Sequence, residues 1–201
     1  MNASRATCDV LAPLEPPRVH TSKLTKWAVA LLFVAVCGTP SLGLYWLRQH
    51  YQVFDIPAES MEPTIRRGDR ILVDMQYFRN HLPAYGEIIV FKKDEILLEK
   101  RVAAVPGDTI EGRNDVIYLN GNAVSEPYVQ HIGIRQGYDF LRNFGPTTLK
   151  KGEYFVLGDN RDVSLDSRDP DYGPIPLDTI VGRPLFILSS AKGNRAFERI
   201  K

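Results

Sequence analysis

The chain has 201 residues, 44% of them hydrophobic and 24% charged, and carries a formal net charge of +1. That balance suits one globular domain with an appendage and excludes disordered and fibrous classes. No run of lysines and arginines forms a stripe able to neutralise several phosphates, so nucleic acid is not an expected partner.

The two cysteines are Cys8, in a polar tail, and Cys37, in an apolar run, so the globular part has no disulfide framework and must hold by its core. The four histidines, His20, His50, His81 and His131, show no metal-ligand spacing. Neither a metal nor another cofactor is expected.

Residues 1–26 read as a polar cytoplasmic tail. From Trp27 to Leu47 the chain runs without a charge, which as a helix spans about 31 Å, the thickness of a hydrocarbon core. Trp27, Tyr45 and Trp46 stand where an aromatic belt belongs, and Pro40 predicts a kink. Arg18, Lys23 and Lys26 precede the run while only Arg48 follows closely, which places the N-terminus in the cytoplasm and residues 48–201 outside, with the lipid bilayer as a partner. The competing reading is a cleaved signal peptide, since Ala35-Val36-Cys37 loosely resembles a small-x-small cleavage site.

Beyond residue 48 helical periodicity is scarce. Short β-branched runs recur instead: RILVDM, EIIVFKK, ILLEKRVAAV, DVIYLNG, EYFVLGD and TIVGRPLFIL, separated by Gly, Pro, Asn or Asp. This pattern predicts a mainly β domain of antiparallel sheets forming a partly closed barrel, with Asn120-Gly121 as a hairpin turn. Residues 128–151 are weakly patterned and read as a peripheral loop or hairpin insertion.

Ser60 lies in Ile56-Pro57-Ala58-Glu59-Ser60-Met61-Glu62-Pro63-Thr64, shortly after the apolar run. A serine in a proline-flanked turn is ordinarily a turn residue. To act as a nucleophile it needs a base, and a lysine with a neutral amine can be one. Lys100 lies in the mainly apolar stretch Ile96 to Val105, where a buried ammonium loses solvation and its pKa falls. The plainer alternative is a strand lysine reaching to solvent.

Taken together, Ser60-Met61-Glu62-Pro63-Thr64, Gly68-Asp69-Arg70-Ile71-Leu72-Val73, Lys100-Arg101-Val102 with Pro106-Gly107-Asp108, and Gly158-Asp159-Asn160-Arg161-Asp162-Val163-Ser164-Leu165-Asp166-Ser167-Arg168 resemble the boxes of type I signal peptidases, in the family's order. The resemblance implies a membrane-anchored serine endopeptidase of the bacterial inner membrane that cuts signal peptides from exported preproteins after small-x-small sites. It implies Ser60 as nucleophile, Lys100 as general base and Ser164 as the hydroxyl that orients the lysine. Asp166 and Arg168 match a bracing ion pair, with Asp159 and Arg161 in a similar supporting role.

One departure stands two residues before Ser60. Ala58 replaces a residue whose hydroxyl serves the oxyanion hole in some members, which leaves the Ser60 N–H as the expected donor. Ile56, Pro57, Ala58, Met61 and Ile65 are candidates for the substrate pocket, with plain core packing as their alternative. The substrate is expected to bind extended, as an added strand, to a monomeric enzyme. The remaining alternatives are a more specialised serine-lysine peptidase, an inactive domain that binds exported peptides, and a sugar-binding or scaffold module of the envelope.

Overall fold

The computed structural model describes residues 27, 39–133 and 141–201. The chain divides into two compact units, Met1–Leu44 and Tyr45–Lys201, and every strand belongs to the second. The expected tail at 1–26 and both cysteines lie outside the described residues, as does most of the expected membrane segment. Its end overlaps helix α1, Thr39–His50. Pro40 falls in the first turn of α1, where a missing N–H removes no intrahelical bond. Among the described residues no helix is long and apolar enough to cross a membrane.

The strands are β1 (Tyr51–Asp55), β2 (Arg70–Asp74), β3 (Ile88–Lys93), β4 (Ile96–Ala104), β5 (Thr109–Arg113), β6 (Val116–Leu119), β7 (Asn122–Ala123), β8 (Phe144–Thr148), β9 (Glu153–Leu157), β10 (Ile175–Pro176), β11 (Ile180–Ser189) and β12 (Glu198–Arg199). An eight-stranded sheet runs β1-β2-β11-β3-β4-β9-β10 with β12 beside β11, and a four-stranded sheet runs β7-β6-β5-β8. All of these strand pairs are antiparallel.

The mainly β expectation therefore holds, but the barrel does not close. The large sheet ends at β1 on one side and at the two-residue β10 on the other, and among the described residues no ladder joins them. The strand spacing in the sequence could not reveal this, because closure depends on which strands meet and not on how many there are.

Residue chemistry explains the central strands. Four consecutive apolar residues, Ile88 to Phe91, are all buried, as in a strand covered on both faces. Ile88 and Val90 join a cluster with Ile56, Met61, Ile65, Ile71, Val73 and Ile187. Ile89 and Phe91 face the other way, into Val102, Tyr154 and Val156. At about 1.5–3 kcal/mol per fully buried large side chain, these two clusters are what fix β3 and β4 in place.

Two-residue turns set the registers. Asn120 and Gly121 both have positive φ and join β6 to β7, as the sequence predicts. The β3–β4 connection uses Asp94 and Glu95 in the same way, without the glycine that would have announced it. Within the expected insertion at 128–151, β8 pairs with β5 and so belongs to the second sheet.

Candidate active site

Ser60 sits on a closed loop between β1 and β2. The Ile56 N–H donates to the Asp69 carbonyl at 2.9 Å and the Gly68 N–H to the Ile56 carbonyl at 2.8 Å, which ties the neck. The buried Asp69 carboxylate accepts from the Arg66 N–H, the Ser190 hydroxyl and the Arg195 guanidinium. Met61 and Ile65 are wholly buried beneath the loop and Ile56 nearly so. The loop is thus anchored by its own apolar residues, leaving Pro57, Ala58 and Glu59 exposed next to Ser60. Of the five pocket candidates, only Pro57 and Ala58 offer surface; Ile56, Met61 and Ile65 support that wall from behind.

Lys100 comes from β4, where the strand passes under cover. Ile96 and Leu97 are exposed, Leu98 and Glu99 half-buried, and everything from Lys100 to Ala104 buried. The Lys100 Nζ donates to Ser60 Oγ at 2.8 Å and to the Glu99 carbonyl at 2.9 Å. Only 9% of Ser60 and 3% of Lys100 are solvent-accessible. Burial pushes the Lys100 amine below the ordinary lysine range, against the opposing pull of Glu99, Asp166 and Asp159. The Glu99 carboxyl is itself raised by burial, with Lys100 drawing it back.

The loop from Gly158 to Arg168 clamps this pair. The Asn160 N–H donates to the Ser60 carbonyl at 3.0 Å. Asp166 and Arg168 form a doubly bonded, fully buried ion pair at 2.8 and 2.9 Å, and Asp166 also accepts from the Gly158 N–H at 3.0 Å. Burial alone would raise the Asp166 carboxyl; Arg168 and the Gly158 N–H hold it below the usual carboxylate range. The Arg168 guanidinium also donates to the carbonyls of Arg161 and Leu141.

Asp159 and Arg161 do not pair with each other. Asp159 takes both guanidinium arms of Arg101 at 2.8 and 2.7 Å and the Thr64 hydroxyl at 2.5 Å. Arg161 makes a doubly bonded pair with Glu126 and donates to the Gly158 carbonyl. The ring of Tyr128 lies against Arg101, 3.9 Å from centroid to guanidinium carbon. Arg101, Thr64, Glu126 and Tyr128 thus complete the support, and sequence reasoning had assigned none of them a role. Arg101 directly follows the candidate base, and both it and Thr64 stand inside the motif stretches, which are the signals that could have drawn attention to them.

Ser164 is buried, and its hydroxyl has no partner in hydrogen-bond geometry, although it lies near enough to Asp166 to help lower that carboxyl. A Cβ on Gly158 would collide with both Ser164 Oγ and the Ser60 carbonyl, so these groups crowd one glycine. Among the described residues no group of three or more His, Cys, Asp or Glu could hold a metal ion. A buried serine hydroxyl touching a buried lysine amine is an arrangement suited to nucleophilic acyl transfer.

The profile of the family described as signal peptidase, peptidase S26, matches residues 24–189. Signal peptidase I S of Bacillus subtilis (strain 168) is 33% identical over 150 residues, covering 73% of this chain and 79% of the relative. The chain belongs to the signal peptidase family, peptidase S26. Signal peptidase IB of Staphylococcus aureus (strain COL) is 38% identical over 148 residues, covering 66% of this chain and 75% of the relative. The crystal structure of a signal peptidase I from Enterococcus faecalis V583 matches 51% of this chain and 97% of its own, at 30% identity and a TM-score of 0.43. As a member of the signal peptidase family the chain is a hydrolase, a peptidase of the signal peptidase I type.

Proposed function

We propose that the chain removes signal peptides from exported preproteins, cutting after small-x-small sites such as Ala-x-Ala, with Ser60 as nucleophile and Lys100 as general base. The observation that carries this reading is the 2.8 Å contact between Lys100 Nζ and Ser60 Oγ inside a water-poor site.

A neutral Lys100 amine accepts the Ser60 proton as Oγ attacks the scissile carbonyl, and the new ammonium then protonates the leaving amine. Water hydrolyses the acyl-enzyme in a second cycle through the same lysine. No other described group engages the Ser60 N–H, so it is available to stabilise the oxyanion. Ala58 adds no donor. Losing one such donor costs about 2.7–4 kcal/mol of barrier in a well-studied hydrolase.

Ser164 fits the orienting role through an open valence. Lys100 makes two hydrogen bonds here, so the ammonium formed when it takes the Ser60 proton has a third N–H to give, and the buried Ser164 oxygen can accept it. Pro57 and Ala58 form the accessible pocket wall. The uncharged run Trp27–Leu47 supports a single-pass anchor in a bacterial inner membrane, N-terminus inside, with the enzyme working as a monomer.

The test is incubation of the full chain with a preprotein bearing one Ala-x-Ala site, with mass spectrometry of the products. A single cut after that site is expected. Cutting elsewhere, or none, would overturn the assignment.

A further inference from the structure

The family profile ends at residue 189, yet the stretch beyond it is built into the underside of the Ser60 loop. The Phe197 N–H donates to the Ile187 carbonyl at 2.7 Å and the Ile200 N–H to the Leu185 carbonyl at 3.0 Å, which lays β12 along β11. Ile200 is buried in the same cluster as Ile56, Met61 and Ile65. A turn closed by the Glu198 N–H on the Arg195 carbonyl at 3.1 Å sets Arg195 just ahead of β12.

Arg195 grips the second half of the loop at both ends. Its guanidinium donates to the Thr64 carbonyl at 2.8 Å and to the Asp69 carboxylate at 3.0 Å. The Arg195 side chain is 11% exposed and that of Asp69 not at all. Glu198 accepts from two nitrogens of the same guanidinium, at 2.7 and 3.0 Å, and so fixes the plane of the fork.

Thr64 is the joint between this grip and the reacting pair. The Ile65 N–H donates to the Met61 carbonyl at 2.9 Å, closing a turn that runs on directly from Ser60. The Thr64 hydroxyl donates to Asp159, which holds Arg101, the neighbour of Lys100. The turn is thus fastened at Thr64 from two sides, by its hydroxyl to the frame of Lys100 and by its carbonyl to Arg195.

We propose that Arg195 is a positioning residue that sets Ser60 against Lys100, acting through the Thr64 carbonyl and the Asp69 carboxylate. A lysine in its place is a single point donor and cannot hold two loop acceptors and Glu198 in one plane.

The inference rests on the signal-peptidase reading of Ser60 and Lys100. Its test compares the full chain with Arg195→Met, Arg195→Lys and Glu198→Gln, and with Ile117→Ala in the core of the second sheet as the measure of lost stability alone. The readouts are kcat per folded molecule, KM, the acid limb of the pH–rate profile, and hydrogen exchange at the bonded amides of Ile65 and Gly68. Arg195→Met should lower kcat about 10²-fold at unaltered KM and quicken exchange at both amides by about tenfold or more. Its acid limb should move to higher pH, because a looser loop buries Lys100 less while Glu99, Asp159, Asp166 and Arg168 stay around it. Arg195→Lys recovers part of each effect. Glu198→Gln keeps Arg195 and loosens only its orientation, so it moves the same readouts less and decides the matter should Arg195→Met not fold. Arginine-site variants that match Ile117→Ala in kcat per folded molecule, limb and exchange overturn the proposal. If the unaltered chain cuts no preprotein, the catalytic reading falls. Faster exchange at Ile65 and Gly68 then still upholds Arg195 as the residue that positions the loop, and unchanged exchange there overturns it in either case.

Discussion

A side-chain carbon built on Gly158 stands 2.5 Å from the Ser60 carbonyl oxygen, the same oxygen that accepts from the Asn160 N–H. The loop and Ser60 are packed as closely as a backbone without side chain permits. Gly158→Ala must therefore displace Ser60 or Ser164, and a displacement near 1 Å costs about 10²-fold in rate. A loss of that size in kcat is expected, with a cooperative unfolding transition retained. Ser164→Ala removes only a hydroxyl and should cost less, about tenfold; an unaltered kcat would end its orienting role.

Under the lysine-base proposal, the depressed pKa of Lys100 sets the acid limb of the pH–rate profile. Activity falls as pH drops through that value, because the protonated amine cannot accept the serine proton. Glu99 opposes the depression, so in Glu99→Gln the limb moves to lower pH. A limb that stays in place or moves upward contradicts the electrostatics.

Lys100 also weighs on stability. Its folded pKa lies below the unfolded value, so the unfolded chain binds the extra proton and stability rises with pH between the two. Lys100→Met removes that penalty and fills the same space with an apolar chain. The variant should be inactive yet unfold at higher denaturant concentration at neutral pH, its advantage shrinking as pH approaches the ordinary lysine value. Denaturant titration at several pH values measures both.

Asp166 has the opposite sign. Its folded pKa is depressed, so its stabilisation is present above the unfolded carboxylate value and lost as pH falls through the folded one. Arg168→Met strands a buried carboxylate and should cost about 3–5 kcal/mol at neutral pH. Asp166→Asn should lose stability at neutral pH, and the gap from the unaltered chain should narrow on acidification.

Much of the large sheet was legible because β2, β3, β4, β9 and β11 are short β-branched runs bounded by turn residues. β5 and β8 were not, since TIEGR and FGPTT carry too few apolar residues to show alternation; their pairing depends on Ile110 reaching the cluster of Phe155 and Leu157. In the site, Ser60 and Lys100 were visible as residues whose chemistry needs a partner, and the fold brings them together. The partners of Asp159 and Arg161 were not visible. Arg101 lies 58 positions from Asp159 and Glu126 lies 35 from Arg161, and no local pattern encodes contacts at that separation. Met61 and Ile65 read equally well as pocket or core, and only burial separates the two.

The most direct measurement is the rate of preprotein cleavage by the unaltered chain beside Ser60→Ala, Lys100→Ala and Lys100→Arg. All three variants should lose activity by about 10⁴-fold or more. Lys100→Arg belongs with the others although it keeps the charge, because a guanidinium stays protonated and cannot accept the Ser60 proton. A Lys100→Arg enzyme that still cuts at an appreciable rate would contradict the lysine-base mechanism.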